Sequence, residues 1–328
     1  MDHAYISSTK YVPVFQGISL GNYPNTNTGK FENRGWEVSA EFRKQLNKDW
    51  TVWVGAGAWF NKNKVVYVGE MEHDETYYWP NGSPYFTEGY PTGTYSGYRF
   101  DVPEGESWRL ADGSINPHVL FQSQEEIDSC PVDYSQAGTV RPGDFKYKDM
   151  NGDGVLNYKD TDKFAYSSTP QQYFNASLGF KYKRFEVSAL FYGVSNYLVP
   201  LGDMFFTGYN NDGFFSDIHE YTWTPERAAA GEYINAPALS MSATVSHLTN
   251  EYNLVDGTFL KLKNAEIAYT LSNRLSRKLR TQSVRIAIQG QNLCTWDRMP
   301  SKYVDPETGY MSVWQPWRVV NCALNVTF

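Results

Sequence analysis

Cysteine is nearly missing. The 328 residues hold three, Cys130, Cys294 and Cys322, odd in number and without a CxxC pair, so neither a disulfide framework nor a zinc site is implied. Long apolar runs are missing too: a membrane-crossing helix needs roughly eighteen or more apolar residues in succession, and the richest stretch, Ala189 to Val194, is far shorter. A helical membrane protein is therefore excluded. Positive charge is in deficit, with 29 Lys and Arg against 36 Asp and Glu and a net charge of −7, so nucleic acid is not an expected partner, since phosphate binding needs clustered cations. The five histidines, His3, His73, His118, His219 and His247, show no HExxH spacing, and no GxSxG elbow occurs, so no catalytic residue is expected and the chain does not read as an enzyme. Residues Met1 to Ser8 lack a basic segment followed by an apolar one, so no signal peptide is expected.

None of these absences excludes a transmembrane β-barrel, whose strands alternate lipid-facing apolar with lumen-facing polar residues and keep an overall hydropathy like that of a soluble protein. That alternation is present. Trp36, Val38, Ala40 and Phe42 oppose Glu37, Ser39, Glu41 and Arg43; after the turn Asn47-Lys48-Asp49, Trp50, Val52, Val54, Ala56, Ala58 and Phe60 make the next apolar face. Phe174 to Tyr182 and Phe185 to Phe191 repeat the pattern around Lys183-Arg184. In 259–271, Leu260 and Leu262 share one parity while Ala265, Ile267, Tyr269 and Leu271 share the other, which predicts a β-bulge near Asn264. Val284, Ile286 and Ile288, then Val320, Cys322, Leu324, Val326 and Phe328, complete seven strands. An eighth is expected around Tyr11 to Leu20, interrupted by Pro13.

Connection lengths alternate strictly. The turns at 47–49, 183–184 and 272–281 are short, and the connections 64–171, 195–258 and 294–316 are long, as in outer-membrane barrels with short periplasmic turns and long outer loops. Aromatics gather at strand ends, Trp36, Trp50, Phe60, Tyr182 and Phe185, matching interfacial girdles. The competing fold is a soluble, secreted β-sandwich with one wet face; connections of this length count against it.

Five segments carry a family resemblance. Asn33-Arg34-Gly35-Trp36-Glu37, the run Pro142-Gly143-Asp144-Phe145-Lys146-Tyr147-Lys148-Asp149-Met150-Asn151-Gly152-Asp153-Gly154, Gly257-Thr258-Phe259-Leu260-Lys261-Leu262-Lys263-Asn264, Gly290-Gln291-Asn292-Leu293 with Asp305-Pro306-Glu307, and the ending Asn325-Val326-Thr327-Phe328 resemble, in order, motifs of the SusC/RagA family of TonB-dependent outer-membrane receptors. The resemblance implies an all-β fold, the C-terminal strands of an antiparallel transmembrane β-barrel with long extracellular loops, spanning 1–328 with a loop insert at 64–171. It implies a part in the import of oligosaccharides or peptides, outer-membrane lipid around the barrel, and a SusD-like surface lipoprotein over its outer loops. It also implies coupling to the TonB complex through an N-terminal part that this sequence lacks, together with the plug and TonB box. Seven or eight strands are part of a closed wall of about 22, so the chain in isolation is not expected to insert stably, because open edges in lipid leave backbone groups unpaired.

Two local features remain. Asp149, Asn151, Asp153, Val155, Asn157 and Asp160 occupy loop positions 1, 3, 5, 7, 9 and 12 around a Gly at position 6, the oxygen-donor pattern of a calcium loop, with Asp160 in place of the usual Glu and no flanking helices. The same residues suit an Asx-rich turn without metal. Connection 64–171 carries 18 acids against 8 basic residues, which disfavours anionic cargo. Its aromatics Tyr77, Tyr78, Trp79, Tyr85, Phe86, Tyr90 and Tyr95 suit internal packing, sugar stacking at Tyr77, Tyr78, Trp79 and Tyr85, or contact with a partner. A secreted, calcium-stabilised glycan-binding or adhesion module is the competing function.

Overall fold

Eight strands lie side by side in the order in which the chain makes them, apart from short strands set aside in the loops. The computed structural model describes residues 4–8, 26–68, 87–201, 217–240, 242–309 and 313–328. Strands β1 (Ala4–Ser8), β2 (Thr26–Gln45) and β3 (Trp50–Tyr67) are followed by β4 (Thr94–Tyr98), β5 (Thr161–Ser167), β6 (Gln172–Tyr182), β7 (Phe185–Ser195), β8 (Leu198–Pro200), β9 (Leu254–Asp256), β10 (Phe259–Thr270), β11 (Ser283–Asp297) and β12 (Val319–Thr327). The main sheet runs β1-β2-β3-β6-β7-β10-β11-β12, antiparallel throughout. It is one sheet rather than two packed face to face, so the β-sandwich is not the fold. β4 pairs with β5 and β8 with β9 in small separate ribbons within the long connections.

All seven strands expected from alternation are present, most of them longer than read. β2 and β3 have 20 and 18 residues, about twice what crosses a bilayer, so they project beyond it. The expected eighth strand, Tyr11 to Leu20, lies outside the described residues; the eighth strand of the described sheet is Ala4–Ser8. The bulge falls where parity required it, with the register of β10 shifting between Leu262 and Asn264 against both neighbours. The connection at 272–281 contains a short helix, α1 (Asn273–Lys278), capped by Ser272, whose side chain accepts from the Leu275 amide; its run of polar and basic residues had no period-2 signal and read as a plain turn.

Register turns the alternation into two faces. One row across the sheet is Trp50, Tyr182, Phe185, Tyr269, Ile286 and Leu324; the next is Val52, Phe180, Val187, Ile267, Ile288 and Cys322; a third is Phe42, Val54, Leu178, Ala189, Ala265, Gly290 and Val320. Val38, Phe42, Val54, Ile267, Ile288, Val320 and Leu324 are each more than half exposed. A band of this width open to water would be a liability; against acyl chains it is the expected wall. The first row is an aromatic belt at the short-turn end, where Trp50 packs at a tilt against Tyr182 with ring centroids 4.6 Å apart.

The buried core sits elsewhere, at the long-connection end. Tyr98, Phe100, Phe145 and Tyr147 from the connection β3–β6 pack with Trp223, Val245 and Tyr252 from the connection β7–β10, and with Val194, Tyr197 and Phe259 at the strand tops. Phe100 and Phe145 lie 4.6 Å apart by ring centroid, Phe145 and Tyr252 5.3 Å. Two connections thus fold into one body over one end of the sheet.

Candidate functional site

The face opposite the apolar wall is polar. On it, Trp53, Gly179, Ser188, Glu266, Gln289 and Asn321 form one register row. Gly179 is required there, because a Cβ would lie 2.3 Å from the Trp53 ring; the indole packs against the β6 backbone at this point, with the Arg43 guanidinium 5.4 Å from its centroid. Glu266 accepts from both Arg285 and Gln289, and Arg285 also stands 3.9 Å from Glu186. Two strands so contribute a hydrogen-bonded cluster to the inner face, with Glu186 of a third at ion-pair distance, which makes that surface wettable.

The outer body is held by polar contacts between its two connections. Asp144, from the Pro-Gly-Asp motif, accepts from the Thr244 hydroxyl at 2.6 Å, the Ser246 hydroxyl at 2.7 Å and the Arg141 amide at 2.8 Å. It is buried, and burial pushes its carboxyl above the ordinary aspartate range, outweighing these hydrogen bonds and the nearby His247. The preceding Gly143 has φ 88, and a Cβ on it would meet Trp223 at 2.4 Å. Tyr147 donates to the Val245 carbonyl at 2.8 Å and accepts from Asn250 at 2.8 Å; full burial holds its phenol well above the ordinary tyrosine value. Arg99 reaches Glu251 at 2.9 Å and Asp162 at 3.0 Å.

The third outer connection is clasped to the sheet. Lys261 on β10 is 0% exposed, and its ammonium donates to Asp305 Oδ1 and Glu307 Oε2, both at 2.5 Å. Lys263 adds a contact to Glu307 at 3.1 Å. Burial would raise Glu307, but the two lysines hold its carboxyl below the ordinary range. Both halves of the clasp lie in segments that carried the family resemblance; their pairing across more than forty residues had no signature in either.

The calcium-like loop is closed by its own backbone. Asp149 accepts from the Gly152 and Gly154 amides at 2.7 and 2.8 Å, Asn151 from Asp153 at 3.0 Å, and Asp153 from Val155 at 2.9 Å. Asp160 accepts from Met150 at 3.0 Å and Asn157 at 2.8 Å, while Asn157 caps the turn at Lys159. Among the described residues, no three of His, Cys, Asp and Glu gather as a metal cage. Of the aromatics of connection 64–171, Tyr77, Tyr78, Trp79, Tyr85 and Phe86 lie outside the described residues. Tyr90 is described; it is exposed, with the Lys163 ammonium 5.7 Å from its ring centroid.

No family model matches the chain. It is 25% identical over 305 residues to TonB-dependent receptor P3 of Formosa agariphila, covering 91% of this chain and 27% of that protein. Against TonB-dependent receptor P26 of the same organism it is 24% identical over 328 residues, covering 92% and 30%. Its fold matches that of a RagAB peptide transporter with a TM-score of 0.59 at 19% identity, over 92% of this chain and 29% of the other, and that of the RagAB peptide importer in an open-open state with a TM-score of 0.58. The chain therefore spans less than a third of the length of the curated relatives it matches. Those relatives are receptors, not enzymes. Alternating wall, one-ended outer body and these likenesses agree: the chain is similar to TonB-dependent receptors over nine-tenths of its length and has the fold of part of an outer-membrane β-barrel.

Proposed function

We propose that the chain supplies part of the wall and outer lid of an importer that carries a nutrient, peptide or oligosaccharide, across the outer membrane. The observation that carries this reading is the two-faced sheet with a folded body at one end only: a lipid face, a polar inner face bearing Glu186, Glu266, Arg285 and Gln289, and a lid where solute would arrive. Energy comes from the TonB complex through a part of the receptor N-terminal to this chain, and a SusD-like lipoprotein sits on the outer body. The names of the structural neighbours make peptides the first cargo to try, and the acidic outer connection favours neutral or cationic ones. A strain deleted for the receptor is expected to lose growth on a peptide mixture or on an oligosaccharide as sole nutrient, as does a strain without TonB. Unchanged growth of the deletion strain on both refutes import, and failure of the purified receptor to bring down a surface lipoprotein refutes the partner.

A structural calcium ion at Asp149, Asn151, Asp153, Val155, Asn157 and Asp160 is a second element of the proposal. Its support is the donor spacing, together with Asp160, whose carboxyl is raised by burial with the Asp149 charge adding to it; a cation there would offset both. Calcium chemistry would be structural, rigidifying the outer body. Thermal melting with millimolar calcium against chelator checks it: an unshifted Tm removes the ion.

A further inference from the structure

Charge is divided unequally between the two ends of the sheet. The short connections 46–49, 183–184 and 271–282 hold seven basic residues, Lys48, Lys183, Arg184, Arg274, Arg277, Lys278 and Arg280, against one acid, Asp49, the reverse of the acidic outer connection. In the third of them Leu275 and Leu279, four residues apart, are 48% and 59% exposed, and Arg274, Arg277 and Lys278 beside them are exposed as well. Apolar side chains interleaved with cations on one short amphipathic element are the pattern of a membrane interface. Near the second connection lies a cleft of about 690 Å³ lined by Asp49, Tyr182, Lys183, Arg184, Phe185 and Tyr269. Tyr182, Phe185 and Tyr269 belong to the aromatic belt of the lipid face. Lys183 is exposed; its ammonium lies 5.2 Å from the Tyr182 ring centroid and 4.0 Å from the Asp49 carboxylate.

We propose that this cleft binds an anionic phospholipid of the inner leaflet, its phosphate held by Lys183 and Arg184, its acyl chains lying over Tyr182, Phe185 and Tyr269, and Arg274, Arg277 and Lys278 drawing further anionic headgroups to the rim. Short turns face the periplasm, so the leaflet they meet is the phospholipid one. The floor of the cleft is continuous with the wall that faces acyl chains, so its occupant shares that surface with lipid; a soluble acidic protein would reach the rim but not the floor. Asp49 is the one carboxylate among the residues that line the cleft, and the Lys183 ammonium 4.0 Å away is its counter-charge.

The test uses the whole receptor in nanodiscs of mixed dioleoylphosphatidylglycerol and dioleoylphosphatidylcholine, with lipid retained by the receptor counted by native mass spectrometry. The wild type is expected to enrich phosphatidylglycerol. Lys183→Gln with Arg184→Gln should lower that enrichment by about fivefold for each charge removed, and raised salt should lower it in the wild type. Lys183→Arg with Arg184→Lys should retain it, and heat-modifiable migration on a gel shows that each variant is folded. Equal retention of the two lipids by the wild type overturns the proposal. So does unchanged retention by the folded neutral variant, or displacement of the lipid by inorganic phosphate, which would make this a site for the free anion. None of these outcomes depends on what the receptor imports.

Discussion

The Lys261 clasp permits a quantitative prediction. Lys261→Met removes a fully buried ammonium of similar length and leaves Asp305 and Glu307, with side chains 15% and 28% exposed, facing each other without their shared counter-charge. Breaking a buried ion pair from one side costs about 3–5 kcal/mol, most of it the penalty of the stranded charges. Because the clasp ties the connection 298–309 to β10, that cost is expected to appear as local opening of this connection rather than as unfolding of the sheet. At about 1.4 kcal/mol per decade, amide exchange at Thr308 and Gly309, which both donate to the Asp305 carbonyl, should accelerate by about two to three and a half orders of magnitude. The amides of β10 should change little. Adding Asp305→Asn and Glu307→Gln to Lys261→Met should restore most of the protection, because no stranded carboxylate remains; the partly exposed Lys263 ammonium, which loses its counter-charge, keeps access to water and to the glutamine carbonyl. Hydrogen exchange read by mass spectrometry on the assembled receptor separates the cases. An acceleration below threefold, or a triple variant as labile as Lys261→Met, would refute the view that charge compensation holds this loop.

At the seam of the outer body, Asp144→Ala takes the acceptor from the buried Thr244 and Ser246 hydroxyls, each costing about 1–3 kcal/mol where no other acceptor replaces it, and should loosen the seam to proteolysis, whereas Asp144→Asn should be milder. Because burial raises the Asp144 carboxyl, its contribution is full below the unfolded value of about 3.9 and lost as pH rises through the folded value; exchange at the seam should therefore increase over that rise in the wild type and stay level in Asp144→Asn. Gly143→Ala forces a side chain into φ 88 and against Trp223, so a loss of about 1–3 kcal/mol or more is expected in the melting of the outer body, and a neutral effect would show that the Trp223 packing is loose. Ile267→Arg, on the exposed face between Val187 and Ile288, should cost about 2–4 kcal/mol if it lies at the bilayer midplane, read as lower folding yield into vesicles, while Ser188→Arg on the polar face should be tolerated.

Strand existence, parity and the bulge were legible in residue order, because side chains on a strand alternate with a period of two wherever one face meets lipid and the other water. The alternation of short and long connections was legible for the same reason: it is a property of the chain, not of contacts. The helix at Asn273–Lys278 was hidden, since a single basic turn carries no periodic signal over so few residues, and strand ends ran past their apolar stretch where lipid no longer selects one parity.

The amino-acid sequence alone determined which face of each strand is apolar and which end of the sheet carries acid or base, since both depend only on residue type and spacing. The tertiary structure decided that two long connections share one aromatic core, that Asp144 joins them, that Lys261 meets Asp305 and Glu307, and that Lys183 and Arg184 stand over an aromatic cleft. Those pairings span tens of residues or more, or depend on how adjacent strands align, and their strength comes from burial, which no local pattern records.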